Sequence, residues 1–148
     1  MILFISTVVG FIAAAGVFGS MAFFSLVMAP LIFIKLDPST AGKFIRQVFP
    51  WYYFSVAILA IISFICLFYN YPIDAFVMGG ISCVTIFAWQ ILMPWINKNR
   101  DLMLGGNSKA AYRFNWLHRF SVIINGILLL LTIFVLARLS SDKFIYVG

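Results

Sequence analysis

The chain has 148 residues, 64% of them hydrophobic, 18% aromatic and only 9% charged, with a formal charge of +6 and a mean hydropathy of +1.10. Soluble domains average about 45–50% apolar and about 25% charged residues, so too few ionic groups remain here to coat a water-facing surface. A soluble enzyme, a disordered tail and a secreted disulfide scaffold are excluded, which leaves one all-α transmembrane domain over residues 1–148.

The stretch Met1–Ile34 carries no charge. As one helix it would reach about 50 Å, against a hydrocarbon core of about 30 Å, so it must tilt, project or bend near Pro30. It lacks the basic leader and short apolar stretch of a signal peptide, which predicts a retained first span over roughly 3–30. This span is rich in small residues. Gly16 and Ser20, like Ala15 and Gly19, sit four apart, so Gly10, Gly16, Gly19 and Ser20 form a candidate packing face for a neighbouring helix.

Asp37-Pro38-Ser39-Thr40 reads as a helix start, with Asp as cap and Pro at the first helical position. From Ala41 to Phe49 the apolar residues Phe44, Ile45, Val48 and Phe49 oppose Lys43, Arg46 and Gln47, which predicts a short amphipathic interfacial helix before the second span. Pro50 marks a kink, and Trp51-Tyr52-Tyr53 an aromatic anchor opening a span over 51–69. Asn70 to Asp74 is a tight turn by composition, followed by a third span over 75–96. A polar stretch from Asn97 to Ser108, broken at Gly105-Gly106, lacks the pattern of a phosphate-binding loop. Helical patterning resumes with Tyr112, Phe114 and Trp116 among basic residues, and the fourth span covers 120–137. The tail Phe144-Ile145-Tyr146-Val147 is apolar enough to dock.

Eight basic residues lie in the first and third connections: Lys35, Lys43, Arg46, Lys98, Arg100, Lys109, Arg113 and Arg119. Only Arg138 and Lys143 lie on the opposite side. That asymmetry predicts a multi-pass protein of a bacterial inner membrane with both termini periplasmic and the basic connections cytoplasmic. It also makes Lys43, Arg46, Lys109, Arg113 and Arg119 candidate contacts for lipid headgroups rather than for nucleic acid.

No acidic residue, and no Lys or Arg, falls deep within an expected span, which argues against a proton pump or an ion-coupled carrier. The milder polar residues are Gln90 and Asn97 on the third segment, and His118, Ser121 and Asn125 at helical spacing on the fourth. Such groups serve either as hydrogen bonds between helices or as the lining of a small polar pocket. His118 is a lone histidine, so one chain offers no pair of haem ligands. Met21, Met28, Met78 and Met93 could in principle suit Cu(I), yet methionine is also the ordinary filler of apolar gaps. Cys66 and Cys83 lie in apolar segments and read as inert thiols. The sequence therefore assigns no catalytic residue, no metal ligand and no cofactor.

Several motifs recur in order: Met28-Ala29-Pro30 with Phe33 and Leu36, Ala41-Gly42, Val48-Phe49-Pro50-Trp51-Tyr52-Tyr53, Pro94-Trp95-Ile96-Asn97 with Arg100-Asp101, and Leu117-His118-Arg119-Phe120-Ser121 with Asn125. In this order and spacing the chain resembles the bacterial branch of the transmembrane-protein-205-like family of four-span membrane proteins. The resemblance covers about 130 residues and implies a role in trafficking or metal handling without identifying a catalytic group. Together these features predict a non-enzymatic four-helix membrane protein that acts by helix association with other membrane chains, as an accessory or structural subunit. A small transporter or copper-type metal-handling protein using the polar face of spans three and four is the alternative.

Overall fold

The structure, a computed structural model, describes residues 1–145, with side chains described as far as Ser141. The expected docking of the apolar tail from Phe144 to Val147 lies outside those side chains.

Four helices follow one another: α1 (Ile2–Lys35), α2 (Pro38–Leu67), α3 (Pro72–Leu104) and α4 (Ser108–Ile145). All four are long and apolar enough to cross a membrane, and the chain is a multi-pass, all-α membrane protein. Short connections force neighbouring helices to run antiparallel. Each helix lies along two others: α1 and α3 both pack against α2 and α4.

Local chemistry explains where the helices begin and end. The Asp37 carboxylate accepts hydrogen bonds from the backbone N–H groups of Ser39 and Thr40 at 3.0 and 3.1 Å, and Pro38 occupies the first helical position. Pro72 opens α3 in the same way. Gly106 ends α3 at φ +89°, a left-handed conformation that suits glycine, and its N–H donates back to the carbonyl of Met103 at 2.9 Å. Asn107 then caps α4 by accepting from the N–H of Ala110 at 3.0 Å.

The core has two parts. The larger brings Val17 and Met21 of α1 together with Val56, Ala60 and Leu67 of α2, Met78 and Ile81 of α3, and Leu128, Val135 and Leu139 of α4. The smaller gathers Ala88, Leu92, Met93 and Ile96 of α3 under Phe49, Tyr53, Phe114 and Leu117. This second cluster explains why the helices outrun the expected spans. It gives the turns before Phe120 a packed face through Phe114 and Leu117, while Arg46 on the Asn97 carbonyl and Arg100 on the Pro38 carbonyl tie the turns after Ile96 to α2.

For the same reason the amphipathic stretch 41–49 is not a separate element. It forms the first turns of α2, which runs unbroken through Pro50. Ala41 and Gly42 are buried there, and the Arg100 guanidinium lies directly over Gly42, where a Cβ would collide with it.

Two wide π-helical turns interrupt the α geometry, Phe24–Met28 in α1 and Ala88–Leu92 in α3. Each stands just ahead of a proline, Pro30 or Pro94. Proline removes one backbone donor and its ring crowds the carbonyl four residues earlier; a wider turn relieves that crowding.

Candidate functional site

One group of interior polar side chains meets between the two wide turns. Asn125 of α4 is half-buried and reaches two other helices. Its Nδ2 donates to the Ser25 hydroxyl of α1 at 2.7 Å, and its Oδ1 accepts from the Tyr52 hydroxyl of α2 at 3.1 Å. The second bond crosses the diagonal of the bundle, between helices that are not packed neighbours. The Tyr52 ring stacks on Phe24 with centroids 4.4 Å apart, which fixes the phenol's direction.

Beside this network lies a cavity of about 20 Å³, lined among others by Met21, Tyr52, Thr85, Ser121 and Asn125. Its hydroxyls spend their protons elsewhere: Thr85 donates to the Ile81 carbonyl and Ser121 to the His118 carbonyl, each at 2.7 Å. Their lone pairs, with the second N–H of Asn125, suit one water molecule. A cavity of this size holds about one water and needs a few polar partners to keep it. The arrangement ties helices together and can house a solvent molecule.

The sequence-derived polar residues therefore divide. Asn125 and Ser121 meet at the cavity. His118 is exposed and stacks on Phe114 one turn earlier, at 6.0 Å between centroids. It lies on the shoulder of the packed face, whose centre follows Leu117, Ser121, Ile124 and Leu128. Gln90 is exposed, and Asn97 contributes its carbonyl, which accepts from Arg46 at 3.4 Å.

The packing face divides as well. Gly10 is buried, with Leu67 and Cys66 of α2 where a Cβ would stand, and its carbonyl accepts from the Ser63 hydroxyl at 2.9 Å. Gly16 faces Leu59 of α2. Ser20 is half-buried, whereas Gly19 is exposed, with nothing within 4 Å of a Cβ position.

Two ion pairs were not legible as pairs. Asp74, expected in a turn, sits in the first turn of α3 with its side chain only 1% exposed. Its Oδ1 accepts from Nε of Arg138 on α4 at 3.0 Å, while its Oδ2 is buried without a hydrogen-bond partner. Arg138 also lies over the Phe134 ring at 5.7 Å. At the opposite end Arg46 pairs with Asp101, and Arg100 donates to the Pro38 carbonyl at 2.7 Å. Arg46 is thus turned toward α3, whereas Lys43, Lys109, Arg113 and Arg119 are exposed. Among the described residues, no three His, Cys, Asp or Glu side chains gather as a metal site would require.

A family model described as a domain of unknown function, DUF4149, matches residues 12–104, which spans α1 from its third turn to the end of α3. No curated protein and no solved structure matches the chain.

Proposed function

This chain belongs to the DUF4149 family, and on that premise we propose that it is a non-enzymatic membrane protein working by helix association, an accessory or structural subunit of a larger assembly. The observation that supports this reading is the closed interior. Sites for small molecules usually enclose about 300–1,000 Å³, and the cavity at the centre of this bundle encloses about 20 Å³. Gly19 adds to it, because its bare backbone on the outer face of α1 leaves room for another helix to approach closely. The likeness to transmembrane-protein-205-like proteins agrees with a four-span protein of this kind. The eight-to-two distribution of basic residues supports an orientation with both termini periplasmic and the basic connections cytoplasmic, as in a bacterial inner membrane.

Native electrophoresis from mild detergent tests the reading. The wild type is expected to migrate well above one 16.7 kDa chain with its detergent, and Gly19→Leu to release the smaller species. Gly16→Leu would not serve, because it strikes Leu59 inside the bundle. A wild type that migrates as a lone chain ends the proposal.

One observation favours the second reading, a small transporter or metal-handling protein. The polar network, with the Met21 thioether beside it, sits between two proline-associated wide turns that can bend. If those turns open the cavity, Ser121→Cys will react with a small water-soluble thiol reagent. A protected thiol counts against this second reading.

A further inference from the structure

α4 begins at the basic end of the bundle, and its outward face changes character along its length. Lys109, Tyr112 and Arg113 come first, all exposed, and with Ser108 they line an open groove of about 360 Å³. Trp116 and Phe120 follow on the same side, 58% and 38% exposed, their rings stacked at 5.4 Å and nearly parallel at 8°. Beyond them the stripe is aliphatic, through exposed Ile123, Ile127 and Leu130. The spacings of three and four residues hold these side chains on one face.

The order is cationic, then aromatic, then aliphatic. A phospholipid presents its partners in the same order: phosphate, glycerol and ester, acyl chain. The lengths agree too. From Lys109 to Ile123 is about 21 Å of helix, and one leaflet with its headgroups is about 20–22 Å deep. Three arginines are already engaged within the bundle. Arg46 is held by Asp101, Arg100 donates to the Pro38 carbonyl over Gly42, and Arg138 holds Asp74. Lys109 and Arg113 enter no ion pair among the described residues.

We propose that the outward stripe of α4 is a binding site for one anionic phospholipid, with Lys109 and Arg113 on its phosphate, Tyr112 and Trp116 at the glycerol, and its acyl chain along Phe120, Ile123 and Ile127. This goes beyond association with other chains, since it names a ligand class and a surface that no helix of this chain covers.

The test uses the full-length protein in nanodiscs of equal phosphatidylglycerol and phosphatidylcholine. After gentle release, native mass spectrometry reads which lipid stays bound. The wild type should retain phosphatidylglycerol in clear excess. Lys109→Gln with Arg113→Gln should lower that preference by about twenty-five-fold, two cations at roughly a factor of five each. Lys98→Gln, an exposed cation on α3, should leave it unchanged. Excess soluble glycerol phosphate should not displace the lipid, because it has no chain to lay on the stripe. Phosphatidylglycerol with brominated chains should quench tryptophan emission less in Trp116→Phe than in the wild type. Both charge substitutions are at exposed positions, and a melting curve matching the wild type confirms that each variant is folded. No preference in the wild type, equal loss with Lys98→Gln, displacement by glycerol phosphate or retention by the double variant would each overturn the proposal.

Discussion

The two ends of the bundle are held by different means. At the end carrying Asn70 and Asp74 the bonds are numerous and enclosed. Ser63 reaches the Gly10 carbonyl, Ser6 donates to the Cys66 carbonyl at 2.8 Å, and Asn70 donates to Thr7 at 2.8 Å. The ion pair there keeps its carboxylate out of solvent. At the basic end the corresponding pair, Arg46 with Asp101, has side chains 37% and 56% exposed. The last turns of α1 also stand apart, with Phe33 and Ile34 60% and 74% exposed. The contrast teaches that an identical pair of charges is a structural commitment at one end and close to dispensable at the other. Burial of the partner left behind decides the difference.

The largest effect is expected at the enclosed end. Arg138→Met keeps an apolar contact with Phe134 but leaves Asp74 buried and unpaired. It should cost about 2 kcal/mol, less than for a fully buried pair because Arg138 itself is 42% exposed. Equilibrium unfolding in mixed micelles measures it. Gly10→Val should come close behind, at about 2 kcal/mol, because its Cβ would stand 2.8 Å from Cγ of Leu67. Gly19→Val serves as the control and should cost a few tenths at most in a monomeric preparation.

Asn125→Leu, midway between the ends, strands the Tyr52 and Ser25 hydroxyls and should cost about 1 kcal/mol. Arg46→Gln should cost under about 0.5 kcal/mol. A cost there equal to that of Arg138→Met would break the comparison. The smallest expected effect is at Asp37. Hydrogen bonds from Thr40 and Ser39 hold its carboxyl below the usual 3.8. The capping contribution is therefore complete above 3.8 and is lost as pH falls through the lower folded value. Hydrogen exchange at Ser39 and Thr40, relative to an Asp37→Asn variant, should converge in that acid range and diverge at neutral pH.

How far the sequence reaches depends on whether a feature is local. Four helices, the Asp37 cap and the break at Gly105-Gly106 rest on composition and neighbouring residues, and the sequence reading reaches each of them. The helix ends at the basic side were not legible, since the turns from Asn97 to Leu104 look polar and the contacts that tie them to α2, Arg46 on the Asn97 carbonyl and Arg100 on the Pro38 carbonyl, lie far along the chain. The partners of Asp74 and Arg46 lie on other helices, far along the chain, with no periodicity to join them. Gly10, Gly16 and Gly19 look alike on paper. Only the direction in which α1 meets α2 separates a clasped glycine from an open one. The wide turns had a signal, Pro30 and Pro94, that reads as a bend and gives no indication of π geometry.

Those two wide turns have a further consequence. The same number of residues separates Phe24 from Ala88 and Pro30 from Pro94, and it also separates Gly16 from Gly80, Asp37 from Asp101 and Gly42 from Gly106. The packing follows the same rule, for α2 lies on α3 as α4 lies on α1. The wide turns thus stand at corresponding places on α1 and α3, the first helix of each hairpin, and between them the Asn125 amide of the second hairpin meets the Tyr52 hydroxyl of the first.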